Sequence, residues 1–470
     1  MSTDNTNIAR TLQPCPGISG TVPAIASKSH AHRLLIAAAL SENETDIILN
    51  TTSKDIEATT GCLISLGAKI TKTDKGLHVV PIQNISVSNI IIDSNTSSEN
   101  IAPDDISSLD AGESGSTLRF MLPVIAALGK SASITTHGRL TERPLSPLYE
   151  ELQSHGITLS PMGQSPLSIS GKMSGGSFII PGNISSQYIT GLLFALPLLD
   201  SDSTLTVTGK LESRPYVDIT LDVLKEFGIV INEDTITPKT DNSSSSDTAK
   251  TIFRIPGNQT YTSTDSYIVE GDWSNAAFFL AAGAISKSTE GITVSGLKPS
   301  SLQGDKEIIP LLSRFGASVR FEAKNSDKGT NQKGNGLFNI TVSHNTLNGI
   351  DIDAADIPDL VPILSAVAAV SDGTTRINHI ERLRIKESDR VATVIETLIN
   401  LGADIHEENN MLIINGKPSL TGGTVDSHND HRIAMTAAVL SICCEGSVTI
   451  QNPNAVAKSY PDFYDVIISL

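Results

Sequence analysis

The chain has 470 residues, with 51 acidic against 34 basic side chains and a formal net charge of −17. At about 100–200 residues per domain, that length calls for two to four domains with ample apolar material for cores. The acidic balance argues against a nucleic-acid or anionic-membrane partner, and the most apolar runs, 276–285 and 360–370, fall short of the roughly 20 residues that span a bilayer.

Residues 1–14 carry neither a basic-then-apolar signal pattern nor Arg-rich transit character, so a cytoplasmic protein is expected. Beyond them, six segments share one design: a short polar or glycine-containing stretch, then a helix of Ala and Leu. In chain order they are SKSHAHRLLIAAAL (27–40), GESGSTLRFMLPVIAALG (112–129), SSQYITGLLFALPLL (185–199), GDWSNAAFFLAAGAI (271–285), IPDLVPILSAVAAV (357–370) and NDHRIAMTAAVLSI (429–442). Small residues permit close packing, so all six helices are expected to be buried.

A second helix type falls between them and ends in Gly before a strand: 61–70, 148–159, 221–231, 308–319 and 394–405. The glycine suits a helix C-cap that needs φ > 0. Residues 93–108, 235–250 and 325–336 are polar and read as surface loops. Cys15, Cys62, Cys443 and Cys444 lack metal spacing and read as reduced core thiols, the last two within an apolar helix.

Spacing turns these elements into architecture. Lys28 and Asp272, Ser114 and Asp359, and Ser186 and Asp430 lie at the helix starts, 244, 245 and 244 residues apart. That register describes two similar domains of three α/β units each. Buried helix starts are places where backbone N–H groups meet an anion, and a cleft between domains is the default place for a ligand.

Several cations stand in or beside these polar stretches: Lys28, Arg33, Arg119, Arg139, Arg143, Arg384, Lys386, Arg390, Arg432 and Lys458. Exposed ion pairs are worth about 0–1 kcal/mol, too little to account for that placement. A charge-assisted bond to a held anion is worth about 1.5–3 kcal/mol, so a basic site for small polyanions is the sharper reading. Each candidate also has a plainer role. Asp359 after Pro358 suits a helix N-cap, Glu387 an i,i+3 or i,i+4 helix-surface pair, and His431 a structural hydrogen bond. No P-loop, no Rossmann glycine spacing and no metal-ligand spacing occurs in the sequence.

Ten stretches, in order from about Pro23 to Asp462, resemble the 5-enolpyruvylshikimate-3-phosphate (EPSP) synthase family, the 3-phosphoshikimate 1-carboxyvinyltransferases. They are SKSHAHR (27–33), GESGSTLR (112–119), GRLTERPL (138–145), SSQYITGLL (185–193), SRPYVDITL (213–221), VEGDWSNAAFFLA (269–281), DIPDLVPILSAVAA (356–369), RLRIKESDR (382–390), NDHRIAM (429–435) and AKSYPDF (457–463). The resemblance implies the two-domain enolpyruvyl transferase fold, an α/β inside-out barrel whose domains each hold three β-α-β-α-β-β repeats with buried helices. Domain one would be 27–269 and domain two 1–26 plus 270–470, with the active site in the interdomain cleft.

The implied reaction moves the enolpyruvyl group of phosphoenolpyruvate onto the 5-hydroxyl of shikimate 3-phosphate and releases phosphate. It serves chorismate and aromatic amino-acid biosynthesis, with no metal or organic cofactor, no nucleic acid, no membrane, and a monomeric protein. Two substrates carrying two phosphates and two carboxylates need fixed cations to offset their repulsion. Carried over by position, shikimate 3-phosphate meets Lys28, Ser29, Arg33, Ser185, Ser186, Gln187, Ser213, Asp359 and Lys386. Phosphoenolpyruvate meets Lys28, Gly115, Arg139, Gln187, Arg390, Arg432 and Lys458. Asp359 takes the proton of the attacking hydroxyl, Glu387 protonates the methylene carbon, and Lys28 stabilises the departing phosphate.

The chain departs from the family pattern at Ala26, Glu113 and Arg382, and none of these removes a catalytic group. The sister transferase acting on UDP-N-acetylglucosamine uses a loop cysteine, and 112–119 contains none. A binding-only repeat protein is the other alternative; it would bind shikimate 3-phosphate without releasing phosphate.

Overall fold

The computed structural model describes residues 9–83, 106–236, 249–323 and 336–470. Contacts divide the chain into two compact units, Lys28–Val269 and Met1–Ser27 with Glu270–Leu470.

The first unit holds helices α1 (Lys28–Leu40), α2 (Lys54–Ser65), α3 (Gly115–Ala127), α4 (Leu148–Ser154), α5 (Ser186–Ala195) and α6 (Arg214–Glu226). Its repeat is plainest around α3: strand Ile106–Asp110, α3, strand Ser131–Thr135, α4, then Thr158–Leu159 and Leu167–Ser170. The first two strands pair in parallel and the rest antiparallel, with the last strand lying between the second and third. Ile134 faces Leu109 on one side and Leu167 on the other, so one face of the sheet is apolar and buried. Strands Ser177–Pro181, Ser203–Thr208, Asn232–Ile236 and Lys250–Ile255 repeat that order around α5 and α6.

The second unit holds α7 (Trp273–Ile285), α8 (Ile308–Phe315), α9 (Val361–Ala369), α10 (Arg390–Asn400), α11 (His431–Leu440) and α12 (Phe463–Ile468). Two of its sheets have four strands in the same order. The third has three, and its antiparallel edge is supplied by the N-terminal strand Ala9–Leu12 against Val448–Gln451. Each unit thus carries three β-α-β-α repeats around buried helices. Among the described residues every sheet is open and none closes into a barrel.

The first repeat of each unit takes its leading strand from elsewhere in the chain. Gly20–Pro23 precedes α1 but lies parallel to Ile292–Leu297, whereas Ser266–Ile268 precedes α7 but lies parallel to Thr45–Ile48.

Helix composition explains the burial. In α1, Ala37, Ala38 and Ala39 are wholly buried, and α7, α9 and α11 are buried along nearly their whole lengths. Small residues set the spacing: a Cβ on Gly191 of α5 would stand 2.4 Å from the Arg119 carbonyl oxygen of α3. The outer helices α2, α4, α6, α8 and α10 end as expected, with glycines at φ 77–114°. In each, the residue after the glycine donates its N–H to a carbonyl five residues back, as from Ala68 to Leu63 at 3.1 Å.

Three expectations need correction or restriction. Ile106, Ser107 and Ser108 of the expected first loop sit in a strand, as do Thr235, Ile236 and Lys250 of the second. Of the rest, 93–105, 237–248 and 325–335 lie outside the described residues, as do residues 1–8. Cys15 is exposed rather than in a core, and Cys443 closes a 3-10 turn (Ser441–Cys443) after α11 rather than lying in it, with Cys444 following. Among the described residues no helix is long and apolar enough to cross a membrane.

Candidate active site

The expected site residues fall into two clusters, one in each unit. In the unit of α1–α6 the first turns of α1, α3 and α5 carry most of them. Lys28 opens α1 and its Nζ lies 2.9 Å from Asp55 Oδ2 at the start of α2. One turn on, Arg33 is buried. Its Nε donates to Thr220 Oγ1 at 2.8 Å, Nη1 to the Ser29 carbonyl at 2.6 Å, and Nη2 to the Tyr216 carbonyl at 2.9 Å. Burial pushes its guanidinium down to about 9, so it stays charged at neutral pH. Its role in the fold is to fix Ser29 and the start of α6.

Gly115 opens α3 beneath the N-cap Ser114. A Cβ there would stand 2.6 Å from Arg119 Nη1 and 2.9 Å from Arg143 Nη1, so glycine lets two guanidinium groups meet at the helix start. Arg119 Nη1 donates to Gln187 Oε1 at 2.8 Å, and Gln187 Nε2 donates to Ser116 Oγ at 2.9 Å. These bonds join α3 to α5, whose N-cap is Ser185 with Ser186 in the first helical position. Arg139 is exposed in the 3-10 turn Gly138–Glu142, where Glu113 packs against Gly138. Ser213 is buried at φ 53° as the N-cap of α6.

Beneath this surface runs a buried polar chain absent from the sequence reading. His32 Nδ1 lies 2.7 Å from Thr59 Oγ1, which lies 2.7 Å from Thr117 Oγ1, which lies 2.8 Å from Ser114 Oγ. It links α1, α2 and α3, and nothing in the local pattern of any one helix signals it. Burial and the charge of Lys28 hold His32 well below its usual range, so it is neutral.

In the unit of α7–α12 the cluster is ionic and centred on Arg390, whose side chain is only 1 % exposed. Its Nη1 lies 2.7 Å from Asp359 Oδ1, its Nη2 2.7 Å from Glu387 Oε2, and its Nε 2.8 Å from Asp430 Oδ2. Burial alone would weaken its hold on a proton, but Asp430, Glu387 and Asp359 outweigh that and hold it well above the ordinary arginine range. Asp430 is fully buried, and Arg390 keeps it ionised below the usual carboxylate range against that burial. It also caps α11 through the Arg432 N–H at 3.0 Å and accepts from Ser388 Oγ at 3.0 Å.

Asp359 faces three cations: Arg390, Lys386 Nζ at 3.3 Å and Arg432 Nη2 at 3.4 Å. Its N-cap reading is overturned, because it lies within a 3-10 turn (Pro358–Leu360) whose N-cap position is Ile357, and α9 starts two residues later with Leu360 at its N-cap position. Glu387 pairs at i,i+3, one of the two expected spacings, but from a bend ahead of the α10 N-cap Asp389 and onto a buried arginine rather than along a helix surface. Burial lowers the hold of Lys386 on its proton, while Asp359 opposes that. Lys458 is buried and donates to the Asn429 carbonyl at 2.6 Å. His431 is buried with Nδ1 4.0 Å from Asp430 Oδ1, beyond hydrogen-bond length.

Asp305 was missed. It is buried in the 3-10 turn Gly304–Glu307, bonded to Ser274, and its Oδ1 has no hydrogen-bond partner. Burial, with Asp359 second, raises it to about 6. Arg384 shows the plainer role considered for these cations: it is exposed and its Nη2 spans both carboxylate oxygens of Glu407 at 2.6 and 2.7 Å. Among the described residues no cluster of His, Cys, Asp and Glu is arranged to hold a metal ion.

The family profile for EPSP synthase (3-phosphoshikimate 1-carboxyvinyltransferase) matches residues 12–467. A 3-phosphoshikimate 1-carboxyvinyltransferase of Clostridium novyi is 40% identical over 452 residues, covering 95% of this chain and 94% of the relative. That of Clostridium beijerinckii is 41% identical over 460 residues, covering 97% and 96%. Among solved structures, EPSP synthase from Acinetobacter baumannii superposes with a TM-score of 0.74 at 23% identity, over 98% of both chains. The enolpyruvyl transferase NikO of Streptomyces tendae gives 0.68 at 15% identity, over 98% and 96%. These two likenesses speak to fold alone, whereas the profile and the 40–41% relatives speak to family. The chain belongs to the EPSP synthase (3-phosphoshikimate 1-carboxyvinyltransferase) family.

Proposed function

We propose that the chain transfers the enolpyruvyl group of phosphoenolpyruvate to the 5-hydroxyl of shikimate 3-phosphate, releasing phosphate on the route to chorismate and the aromatic amino acids. The observation that carries the reading is one buried guanidinium, Arg390, holding both Asp359 and Glu387, with Lys386 and Arg432 also against Asp359. Two carboxyl groups beside anion-binding cations are what this addition needs: one to take a hydroxyl proton and one to protonate the methylene carbon.

In this reading Asp359 is the base toward the 5-hydroxyl and Glu387 the acid toward the methylene carbon. Lys28 meets the phosphate that leaves. Ser29, Arg33, Ser185, Ser186, Gln187, Ser213, Asp359, Lys386 and Lys28 receive shikimate 3-phosphate. The Ser185 hydroxyl and the first N–H groups of α5 suit its phosphate. Gly115, Arg139, Gln187, Arg390, Arg432, Lys458 and Lys28 receive phosphoenolpyruvate, whose carboxylate matches an arginine fork. The reading further takes the protein as a cytoplasmic monomer acting on small anionic substrates without metal or organic cofactor.

The test is phosphate release from purified protein given phosphoenolpyruvate with either shikimate 3-phosphate or UDP-N-acetylglucosamine. Release with shikimate 3-phosphate alone is expected. Release only with the sugar nucleotide would place the activity with the sister transferase, and none with either would favour binding without turnover.

A further inference from the structure

Glu387 poses a chemical difficulty. An acid must carry a proton when it acts, yet its Oε2 lies 2.7 Å from a buried guanidinium that favours the ionised form. Arg390 has four of its five N–H donors engaged, with Asp359 on Nη1, Glu387 on Nη2 and Asp430 on Nε and Nη2, so both hydrogens of Nη2 are taken. A substrate carboxylate that bonds to Nη2 must therefore displace Glu387 or Asp430.

The three differ in how firmly they are held. Asp430 is fully buried and also bound by Ser388 Oγ and the Arg432 N–H. Asp359 has Lys386 and Arg432 besides Arg390. Glu387 is the most exposed, at 25 % against 15 % and 0 %, and it sits in the bend before α10 rather than in the helix. Once moved from Nη2 it stands near a second anion, the entering carboxylate, with the Asp430 charge beside it and the Lys386 ammonium opposing both.

We propose that Arg390 works as an exchangeable counter-ion: the substrate carboxylate takes its Nη2 edge, Glu387 is displaced, and the displaced Glu387 picks up the proton it later gives to the methylene carbon. This rests on the reading that Arg390 receives phosphoenolpyruvate. The protons balance. Glu387 takes one from solvent on binding and gives it to the methylene carbon as the 5-hydroxyl oxygen bonds to the adjacent carbon, the hydroxyl proton passing to Asp359. When phosphate departs, the methyl carbon returns a proton to the Glu387 carboxylate, the hydroxyl proton held by Asp359 leaves with the phosphate as hydrogen phosphate, and Glu387 gives its proton back to solvent on product release.

The test reads protons rather than turnover. Phosphoenolpyruvate is titrated calorimetrically into the full-length protein with 5-deoxyshikimate 3-phosphate present, an acceptor lacking the reacting hydroxyl. Comparing buffers of different ionisation enthalpy at pH 7.5 counts the protons taken up. We expect uptake of between about a half and one proton in the wild type, none in Glu387→Gln, and undiminished uptake in Asp359→Asn. Binding without uptake overturns the proposal, and so does uptake that survives in Glu387→Gln or disappears only in Asp359→Asn. Absence of phosphoenolpyruvate binding overturns the underlying reading instead, and this proposal with it.

Discussion

In the unit of α1–α6, buried charge is met mainly by neutral groups: Arg33 donates to carbonyls and hydroxyls, and Arg119 to an amide and a carbonyl. In the unit of α7–α12, one buried arginine is met by three carboxylates. Burial lowers Arg33 to about 9, whereas Arg390 is held well above its ordinary range although it is equally enclosed. On the proposed reading the two clusters serve different ends. The neutral partners of Arg33 leave its charge for the substrate phosphate. The carboxylates shared by Arg390 give an incoming carboxylate a group to displace.

Five substitutions and one control sharpen or break that contrast. The largest effect falls on turnover: Glu387→Gln and Asp359→Ala should each lower kcat by about 10²–10⁴-fold while circular dichroism stays native. Near-normal turnover in either removes that residue from the chemistry.

Next is stability. Arg390→Met leaves buried carboxylates without their shared cation and should destabilise by about 3–5 kcal/mol in urea unfolding. A loss under 1 kcal/mol would mean that the three carboxylates do not depend on it.

Asp305 gives the pH dependence. Its folded value of about 6 lies above the roughly 3.9 of an unfolded aspartate, so the folded state favours its protonated form. The stability it contributes is complete below about pH 4 and is lost as pH climbs through about 6. Asp305→Asn should therefore gain about 2–3 kcal/mol relative to wild type between pH 4 and pH 8. Parallel stability curves for the two proteins would contradict it.

A smaller effect is expected at Gly115→Ala, where the added Cβ must push aside Arg119 and Arg143. KM for phosphoenolpyruvate should rise about tenfold, or about 1.4 kcal/mol, with kcat changed little. An unchanged KM would show that these guanidinium groups relax freely. Lys172→Met serves as the control, since its pair with Asp200 is exposed on both sides. It should shift stability by no more than about 1 kcal/mol and leave kinetics alone.

The sequence by itself determined what is local or periodic. Six buried Ala-rich helices, five glycine-ended outer helices and the 244–245-residue register follow from composition, capping chemistry and spacing, and each survives in the fold. The candidate cations and carboxylates were legible as residue types at helix starts. Their partners were not. Asp359 read as a helix N-cap, because a carboxylate after proline at a helix start suits that role, whereas the three cations it faces come from distant parts of the chain. The His32–Thr59–Thr117–Ser114 chain, the enclosure of Arg390 and the orphaned oxygen of Asp305 belong to no single element. Only tertiary structure decided them, because desolvation and hydrogen bonding between distant residues depend on which helix faces which, and one helix's pattern carries no record of its neighbour.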